Sequence, residues 1–383
     1  MYPILTIYFL FSTIKLPVLA KRIKIKRPVK NSYFSRISLA TQYPDKEKAM
    51  KNRVTEILNI RYPIIQAPMY FLTNATFVAA VSNAGGLGII GPNAGQDTLP
   101  DSRFMALERM REQIRKTKQL TDKPFGATLI NGPDMSFWRP TAEMFVEEKV
   151  DVVLVNEVLD AEIFEFLKQH RIKILYRALT PDVANSQQAE KLGADIIVAT
   201  GFDEGGTVPL RIIGTFSIVP MIADSVKIPV LAAGGIGDVR GVRAAMALGA
   251  EGVWIGSLFL TAQENPADEK VKQLIVSSSA EDLLLFRTLP AYYRTLPTPL
   301  SPRLAELDAQ GADRETLFTA MNGYHSLWQA MRLGNLDKGV VSTGTGISMI
   351  KSVRTVAAIV ADLAQDFITQ PEKQKSDDTV LSL

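Results

Sequence analysis

The chain has 383 residues, of which 46% are hydrophobic and 22% charged, a composition typical of soluble globular proteins. It contains no cysteine and only two histidines, which excludes disulfides, iron–sulfur clusters and thiol nucleophiles and predicts no bound metal. The absence of cysteine fits a reducing, cytoplasmic compartment. Ten of the 43 basic residues but only two of the 40 acidic ones lie within residues 1–49. The rest of the chain is therefore net negative, and no nucleic-acid partner is expected.

The first 49 residues differ in composition from the rest of the chain. Ile4–Ile14 is apolar, and the basic run Lys21–Lys30 follows it. A signal peptide places its charges first, and a membrane span needs about 20 apolar residues, so no stable membrane insertion is expected. We predict an unstructured basic leader, with a weak membrane-surface anchor as an alternative. The composition change at Met50 favours a third interpretation, a misassigned start with Met50 as the true first residue.

From residue 61 onward, short apolar runs alternate with amphipathic stretches. Near-continuous hydrophobicity is what strands buried on both faces of a parallel sheet require. Eight strands alternating with helices predict a (β/α)8 TIM barrel, an α/β fold, over residues 50–265. A Rossmann-like sheet is the alternative, but the glycine motif that it needs after its first strand lies before the second. The eight runs are Pro63–Pro68, Gly86–Ile90, Phe125–Ile130, Asp151–Asn156, Lys173–Ala178, Ala194–Thr200, Pro229–Gly234 and Gly252–Ser257.

Seven helices are predicted between these strands. Thr180 is predicted to cap the fifth helix, and Gly193 to end it in the left-handed conformation. Residues 266–370 depart from the repeat and are predicted to form a mostly helical extension, with loops, that caps the active-site face of the barrel. Residues 371–383 are polar and predicted to be disordered. The seven helices are Ala75–Asn83, Asp101–Lys118, Thr141–Lys149, Ala161–His170, Pro181–Leu192, Ile213–Val226 and Asp238–Leu248.

Small residues end the last two predicted barrel strands: the seventh ends in Gly234-Gly235 and the eighth in Gly256-Ser257. Loops after strands seven and eight of such barrels commonly form a phosphate site. Glycine lets backbone N–H groups approach an anion closely, and the serine hydroxyl adds a donor. We name these four residues the phosphate clamp and predict that it binds the phosphate of a ligand. Tight turns without a ligand are the alternative.

Six motifs between residues 62 and 257 carry a family resemblance. Their order and spacing resemble the nitronate monooxygenase family, formerly called 2-nitropropane dioxygenases, whose members are FMN-dependent barrels. The resemblance covers residues from about 50 to 265 and continues more loosely through Ser342–Ile350. The motifs are Tyr62–Met69 (YPIIQAPM), Val81–Gly88 (VSNAGGLG), Thr200–Gly206 (TGFDEGG), Ile213–Pro220 (IGTFSIVP), Ala232–Gly241 (AAGGIGDVRG) and Leu248–Ser257 (LGAEGVWIGS).

The resemblance implies FMN at the carboxyl end of the barrel, with its phosphate on the phosphate clamp. Family members usually carry an Asn at the end of strand three and often a Gln at the end of strand six, where this chain has threonines. Other positions would follow the isoalloxazine ring or the ribityl chain. The implied flavin contacts are the backbone of Ala67, Pro68 and Met69, the strand-end residues Thr128 and Thr200, and the glycines Gly201 and Gly205.

Thr207 is the main departure from the family. It stands where relatives carry the histidine that is proposed to take the proton α to the nitro group. Threonine has no useful pKa for general-base work near neutrality. A nitronate is already an anion and needs no base, whereas a neutral nitroalkane does. We therefore expect oxidation of alkyl nitronates with O2 and little activity on neutral nitroalkanes.

Arg177 and Asn156, at the ends of strands five and four, are further catalytic candidates. The cation of Arg177 could stabilise a reduced flavin or hold an anionic substrate, or it could form a salt bridge at the rim. Asn156 could hydrogen-bond the substrate or the flavin, or cap a turn. Asp203 and Glu204 could supply acid or base chemistry, but solvated turn acids are the favoured interpretation.

Two activities remain open beside nitronate oxidation. With NAD(P)H as the reductant, the flavin would serve a reductase of quinones or enoyl thioesters. The second open possibility is a barrel that binds no flavin but another phosphorylated metabolite. His325 is interpreted as a surface or core residue, and His170 is expected on the amino face of the barrel, away from the site. The expected partners are a small-molecule substrate and O2, and a homodimer is left open as the assembly.

Overall fold

Eight parallel strands form a closed barrel in this computed structural model, which describes residues 52–96, 103–131 and 135–368. The neighbour order is β1-β9-β8-β6-β5-β4-β3-β2, and a parallel bridge between Ile65 and Leu87 joins β2 back to β1. The predictions for residues 1–49 and 371–383 lie outside the described residues. The strands up to residue 255 are β1 (Ile64–Gln66), β2 (Gly88–Ile90), β3 (Phe125–Thr128), β4 (Val152–Asn156), β5 (Lys173–Arg177), β6 (Ile196–Thr200), β7 (Gly206–Val208), β8 (Val230–Ala233) and β9 (Gly252–Ile255).

The eight predicted runs all contain a barrel strand, so the predicted fold is confirmed. The ring closure excludes the Rossmann-like alternative, because an open sheet would leave two unpaired edges. The strand β7 was not predicted and belongs to a second sheet.

The seven predicted helices are all present. The prediction that Thr180 caps α6 is wrong: the Asp182 carboxylate accepts a hydrogen bond from Asn185 N–H at 2.7 Å, and the Asn185 side chain accepts one from Asp182 N–H. Gly193 ends this helix at φ +104°, as predicted. The helices up to residue 247 are α1 (Arg53–Leu58), α2 (Ala75–Asn83), α3 (Arg103–Leu120), α4 (Trp138–Glu147), α5 (Ala161–Gln169), α6 (Val183–Leu192), α7 (Thr215–Ala223) and α8 (Val239–Ala247).

The core has an inner and an outer part. Alternate strand residues such as Ile89, Leu154 and Trp254 fill the barrel interior, and Val54 and Leu58 of α1 belong to the same cluster. The other strand faces pack against the surrounding helices in a larger cluster. Because α1 also contacts the starts of β8 and β9, it closes the amino end of the barrel and leaves the carboxyl end as the open one.

The chain beyond the last barrel strand contains a small antiparallel sheet as well as helices. Its central strand pairs with β7 and with two other strands. The prediction of helices and loops missed β10 and β11, because the prolines of the turn between them and of the segment after them indicated a loop. The elements are α9 (Ser257–Leu260), α10 (Glu269–Ser277), β10 (Leu284–Arg287), β11 (Tyr292–Leu296), α11 (Ser301–Ala309), α12 (Arg314–Ala320), α13 (His325–Leu327), a π-helix (Trp328–Arg332), β12 (Val341–Ser342), α14 (Val356–Leu363), α15 (Gln365–Ile368) and 3-10 helices at Ala280–Asp282, Leu336–Lys338 and Thr345–Met349.

Helix α14 closes the outer helical ring. It packs against α2 and α8, the first and last interstrand helices, and buries Val356, Ile359, Val360 and Leu363. The ring therefore depends on a helix that begins about 100 residues after β9 ends. The division of the chain into a barrel and a cap at residue 265 stays a prediction. Within the described part of the chain, no helix has the length and apolarity to cross a membrane.

Candidate active site

A cavity of about 730 Å³ opens at the carboxyl ends of the barrel strands. Its volume lies within the range of roughly 300–1,000 Å³ that is usual for substrate and cofactor sites. The second sheet supplies another wall through Thr207, Tyr293 and Ser342. Every barrel strand contributes to the lining at or just after its carboxyl end: Ala67, Pro92, Thr128, Asn156, Arg177, Glu204, Gly234 and Gly256.

Most of the predicted site residues meet in this cavity. The two that lie outside the lining formed by the described residues are Thr200 and Gly201. A Cβ added to Gly201 would lie 2.2 Å from Thr215 Oγ1, so this glycine permits the close approach of α7. The predicted residues that line the cavity are Ala67, Pro68, Met69, Thr128, Asn156, Arg177, Gly205, Thr207, Gly234, Gly235, Gly256 and Ser257.

Two glycines of the phosphate clamp have backbone conformations in the left-handed region. Gly234 and Gly235 take φ values of +98° and +73°, which only glycine adopts without strain. Ser257 Oγ accepts a hydrogen bond from Gly344 N–H at 2.9 Å, which leaves the hydroxyl proton available to a ligand. A Cβ added to Gly256 would come no nearer than 3.7 Å to another residue. The described residues would therefore accept a methyl group at Gly256, whereas a Cβ on Gly234 would lie 2.8 Å from Thr215 Oγ1.

Arg177 and Glu204 form an ion pair in the cavity wall. Arg177 Nη2 lies 2.6 Å from Glu204 Oε2, and each side chain is only 16% exposed. Glu204 Oε1 is buried and has no hydrogen-bond partner among the described residues. Burial raises the pKa of Glu204 to about 7 although Arg177 acts to lower it. The prediction of a solvated turn acid is wrong for Glu204, and the salt bridge of Arg177 lies in the cavity wall instead of at an exposed rim.

Asp203 holds the neighbouring loop in place. Its Oδ2 accepts a hydrogen bond from Thr215 N–H, at the start of α7, at 2.7 Å. Its carbonyl oxygen accepts another from Thr345 N–H at 2.9 Å. The residue therefore ties the loop after β6 to a helix through its carboxylate and to the segment that follows β12 mainly through its backbone carbonyl.

Thr207 lies in β7 opposite Tyr293 of β11. Burial raises the pKa of the Tyr324 phenol, and a hydrogen bond to Thr207 works against this rise. Tyr324 also stacks on Tyr70 with ring centroids 5.0 Å apart and planes within 6°. Tyr293 and Tyr324 were not among the predicted site residues, because both belong to a region that was predicted only as a helical cap. The adjacent tyrosines of the AYYRT run were the one available signal.

The two histidines lie away from the cavity lining that the described residues form. His325 stacks on Trp328 at 5.7 Å between ring centroids, and its Nδ1 lies 2.7 Å from Asn322 Nδ2. His170 ends α5 and donates Nδ1–H to the Phe166 carbonyl at 2.8 Å. Neither imidazole takes the place that Thr207 holds.

Comparison with known proteins gives one family. The family model described as nitronate monooxygenase matches residues 51–136 and 131–366. A probable nitronate monooxygenase of Staphylococcus aureus (strain JH9) is 35% identical over 277 residues, which are 61% of this chain and 75% of the relative.

Solved structures with the same fold are also similar to the chain. FabK from Thermotoga maritima is 31% identical with a TM-score of 0.72, over 83% of this chain and 96% of that one. A nitroalkane oxidase from Streptomyces ansochromogenes has a TM-score of 0.67 at 22% identity, over 82% of this chain and 98% of that one, and shows the fold alone.

Proposed function

Because the chain belongs to the nitronate monooxygenase family, we propose that it binds FMN in the described cavity and oxidises alkyl nitronates with O2. Membership makes the chain an FMN-dependent oxidoreductase. One observation carries the proposal further: the phosphate clamp, the backbone of Ala67–Met69 and the predicted catalytic positions all line a single cavity.

The residues of the cavity fit a flavin mononucleotide. The phosphate clamp offers glycine backbone and a hydroxyl to the phosphate, and no described atom lies within 3.7 Å of a Cβ built on Gly256. Two buried oxygens of the lining, Thr128 Oγ1 and Asn131 Oδ1, have no partner in the part of the chain that the structure describes. The edge of an isoalloxazine ring carries an N–H group and carbonyl oxygens, which would satisfy such atoms.

The protein's own contribution is positioning and electrostatics. Bound FMN supplies the redox chemistry, accepting electrons from the substrate and delivering them to O2. Arg177 places a cation in the wall, where it can attract the nitronate anion even though Glu204 shares its charge. Leu327 and Met331 line the same space and offer an apolar surface to the alkyl chain while they keep water out.

Spectroscopy of the purified protein tests this function. We expect the absorption of oxidised flavin, anaerobic bleaching by ethyl nitronate in a stopped-flow instrument, and oxygen consumption when air is admitted. Free FMN at the same concentration is the control for reaction outside the protein. A colourless protein, or a flavin that ethyl nitronate leaves oxidised, would overturn the proposal.

A reductase of quinones or enoyl thioesters is the second candidate. The stacked rings of Tyr70 and Tyr324, both in the lining, offer a flat apolar surface that suits a nicotinamide or quinone ring. Anaerobic bleaching by NADH or NADPH, without bleaching by ethyl nitronate, would favour this activity. A protein that retains a phosphorylated metabolite but no flavin would instead support the third, non-flavin interpretation.

A further inference from the structure

Glu204 belongs to the residues that line the cavity, and its side chain is mostly buried. Its Oε2 accepts a hydrogen bond from Arg177, while its Oε1 has no partner among the residues that the structure describes. A buried oxygen without a partner is costly, and such a cost is common where a group has a chemical task. Thr207, three residues further along the chain, lines the same cavity and cannot act as a base.

We infer that Glu204 takes the α-proton of a neutral nitroalkane bound in this cavity, an inference that rests on the proposed function. In this step the C–H bond breaks and an O–H bond forms on Glu204 Oε1. The electron pair of the C–H bond moves into the nitro group, so the product is the nitronate anion that the proposed oxidation consumes. The step needs no oxidant, reductant or further reactant.

The ion pair supports this step in two ways. The hydrogen bond from Arg177 to Oε2 holds the carboxylate in one orientation, which leaves Oε1 as the basic atom. A nitro group bound beside the ion pair would also place its developing negative charge near the same guanidinium, which would stabilise it. In this step Thr207 has no chemical role and only forms part of the cavity wall.

The charges around Glu204 leave it ready to accept a proton near neutral pH. Arg177 and Arg294 lower its pKa, Glu157 raises it, and burial outweighs the two cations so that the value is about 7. Burial lowers the pKa of Arg294, and the neighbouring Asp203 works against this change. A base is most effective when its pKa is near the working pH. Little activity on neutral nitroalkanes was expected because Thr207 cannot act as a base. With Glu204 as the base, we now expect the protein to react with neutral nitroalkanes.

The decisive comparison uses one variant and two substrates. We expect Glu204→Gln to slow anaerobic flavin reduction by nitroethane by about a hundredfold or more, and reduction by preformed ethyl nitronate by less than about threefold. In the wild type, α-deuterated nitroethane should react more slowly than the protiated compound, and deuteration should not affect the nitronate reaction to a similar extent.

The control variant is Glu251→Gln. It breaks another glutamate–arginine pair, with Arg53 at the amino end of the barrel, and leaves the cavity untouched. We expect it to react with both substrates as the wild type does. Glu204→Asp keeps a carboxylate and should restore part of the nitroethane rate.

The pH dependence gives a second readout with a defined sign. Since the base must be ionised, wild-type nitroethane reduction should rise with pH through about 7 and then level off, whereas Glu204→Gln should show no such rise. Infrared difference spectra of the holoprotein should show a protonated-carboxyl band that titrates in the same range and disappears in Glu204→Gln.

Each result either supports or contradicts the role of Glu204 as the base. Equal losses with nitroethane and ethyl nitronate would assign Glu204 a structural role and overturn the inference, as would an unchanged nitroethane rate. A wild type that oxidises ethyl nitronate but not nitroethane overturns only the inference, and one that oxidises neither overturns the proposed function as well. If Glu204→Gln fails to fold, the wild-type pH profile and the nitroethane rate of Glu204→Asp test the inference instead. A nitroethane rate that does not rise with pH through about 7 would overturn it.

Discussion

Glycine serves different purposes at positions 234 and 256, although both residues belong to the phosphate clamp. Gly234 has φ +98°, and a Cβ there would lie 2.8 Å from Thr215 Oγ1, so the protein's own backbone and packing require glycine. Gly256 has φ −107°, and a Cβ there would make only ordinary van der Waals contacts, with Ala67 Cβ at 3.7 Å and Met69 Sδ at 4.0 Å. The packing of the described residues therefore does not require glycine at position 256, whereas a phosphate bound beside it would.

This difference predicts a selective defect in Gly256→Ala. The variant should fold and melt as the wild type does without ligand, because the added methyl group meets no protein atom closer than 3.7 Å. It should bind FMN roughly tenfold more weakly or worse, because the methyl group takes space that the phosphate needs. Fluorescence titration of the stripped protein with FMN measures this.

The companion variant is Gly234→Ala, which should lose thermal stability as well as FMN. If Gly256→Ala binds FMN as tightly as the wild type, the phosphate does not lie against this glycine.

At the scale of elements, the loop after β6 connects the barrel to the segment that follows β12. Gly205 packs so closely that a Cβ would lie 2.2 Å from Thr343 C, and Asp203 holds both Thr215 and Thr345. Gly344 N–H in turn reaches Ser257 of the clamp. The conformation of one loop therefore influences both the clamp and the carboxyl of Glu204.

This connection predicts two effects of Asp203→Ala. The loss of the contact at the start of α7 should destabilise the protein by about 1 kcal/mol, seen as a drop of about 2 °C in Tm. FMN should also dissociate faster, because the loop after β6 loses its tie to α7 and the Thr345 hydroxyl loses its 3.4 Å contact with the carboxylate, although the backbone hydrogen bond from Thr345 N–H remains. Thermal melts and flavin release on dilution measure the two effects.

Asp313→Ala is the matched control. Asp313 caps α12 by accepting from Thr316 N–H at 2.7 Å, and it does not line the cavity. It should lower Tm by a similar amount and leave flavin release unchanged. Equal flavin release in the two variants would contradict the connection through Asp203.

At the scale of the whole molecule, the helical ring is continuous in space but interrupted in sequence. Residues 256–355 lie between the last barrel strand and α14, which packs between the first and last interstrand helices. The antiparallel sheet within this stretch also supplies cavity residues such as Tyr293 and Ser342. The segment that supplies these cavity residues and the helix that closes the helical ring therefore follow each other directly in the chain.

A chain that ends at Arg354 is expected to lose cooperative unfolding. The four buried side chains of α14 each contribute about 1.5–3 kcal/mol, and their sum is comparable with the 5–15 kcal/mol that typically stabilises a protein. Circular dichroism melts measure the loss. The full-length chain with Ala361→Ser, on the exposed face of α14, should melt as the wild type does. A truncated chain with the wild-type Tm would show that α14 is dispensable.

The sequence by itself determined the barrel and the clamp. Each barrel strand is a local apolar run, and each clamp glycine directly follows or ends one, so periodicity and spacing place them without knowledge of distant contacts. Local signals were less reliable for β10 and β11, whose flanking prolines indicated a loop, and for the cap of α6, where Asp182 took the place predicted for Thr180.

Only the tertiary structure decided which groups meet at the site. In the folded chain, Thr207 pairs with Tyr293 across two strands, and α14 packs against α2. Glu204 is buried against Arg177, which precedes it by 27 residues in the sequence. Burial and ion pairing depend on contacts between segments far apart in the chain, whereas sequence patterns report on neighbours. That is why a glutamate that reads as a solvated turn acid has a pKa of about 7 in the folded protein.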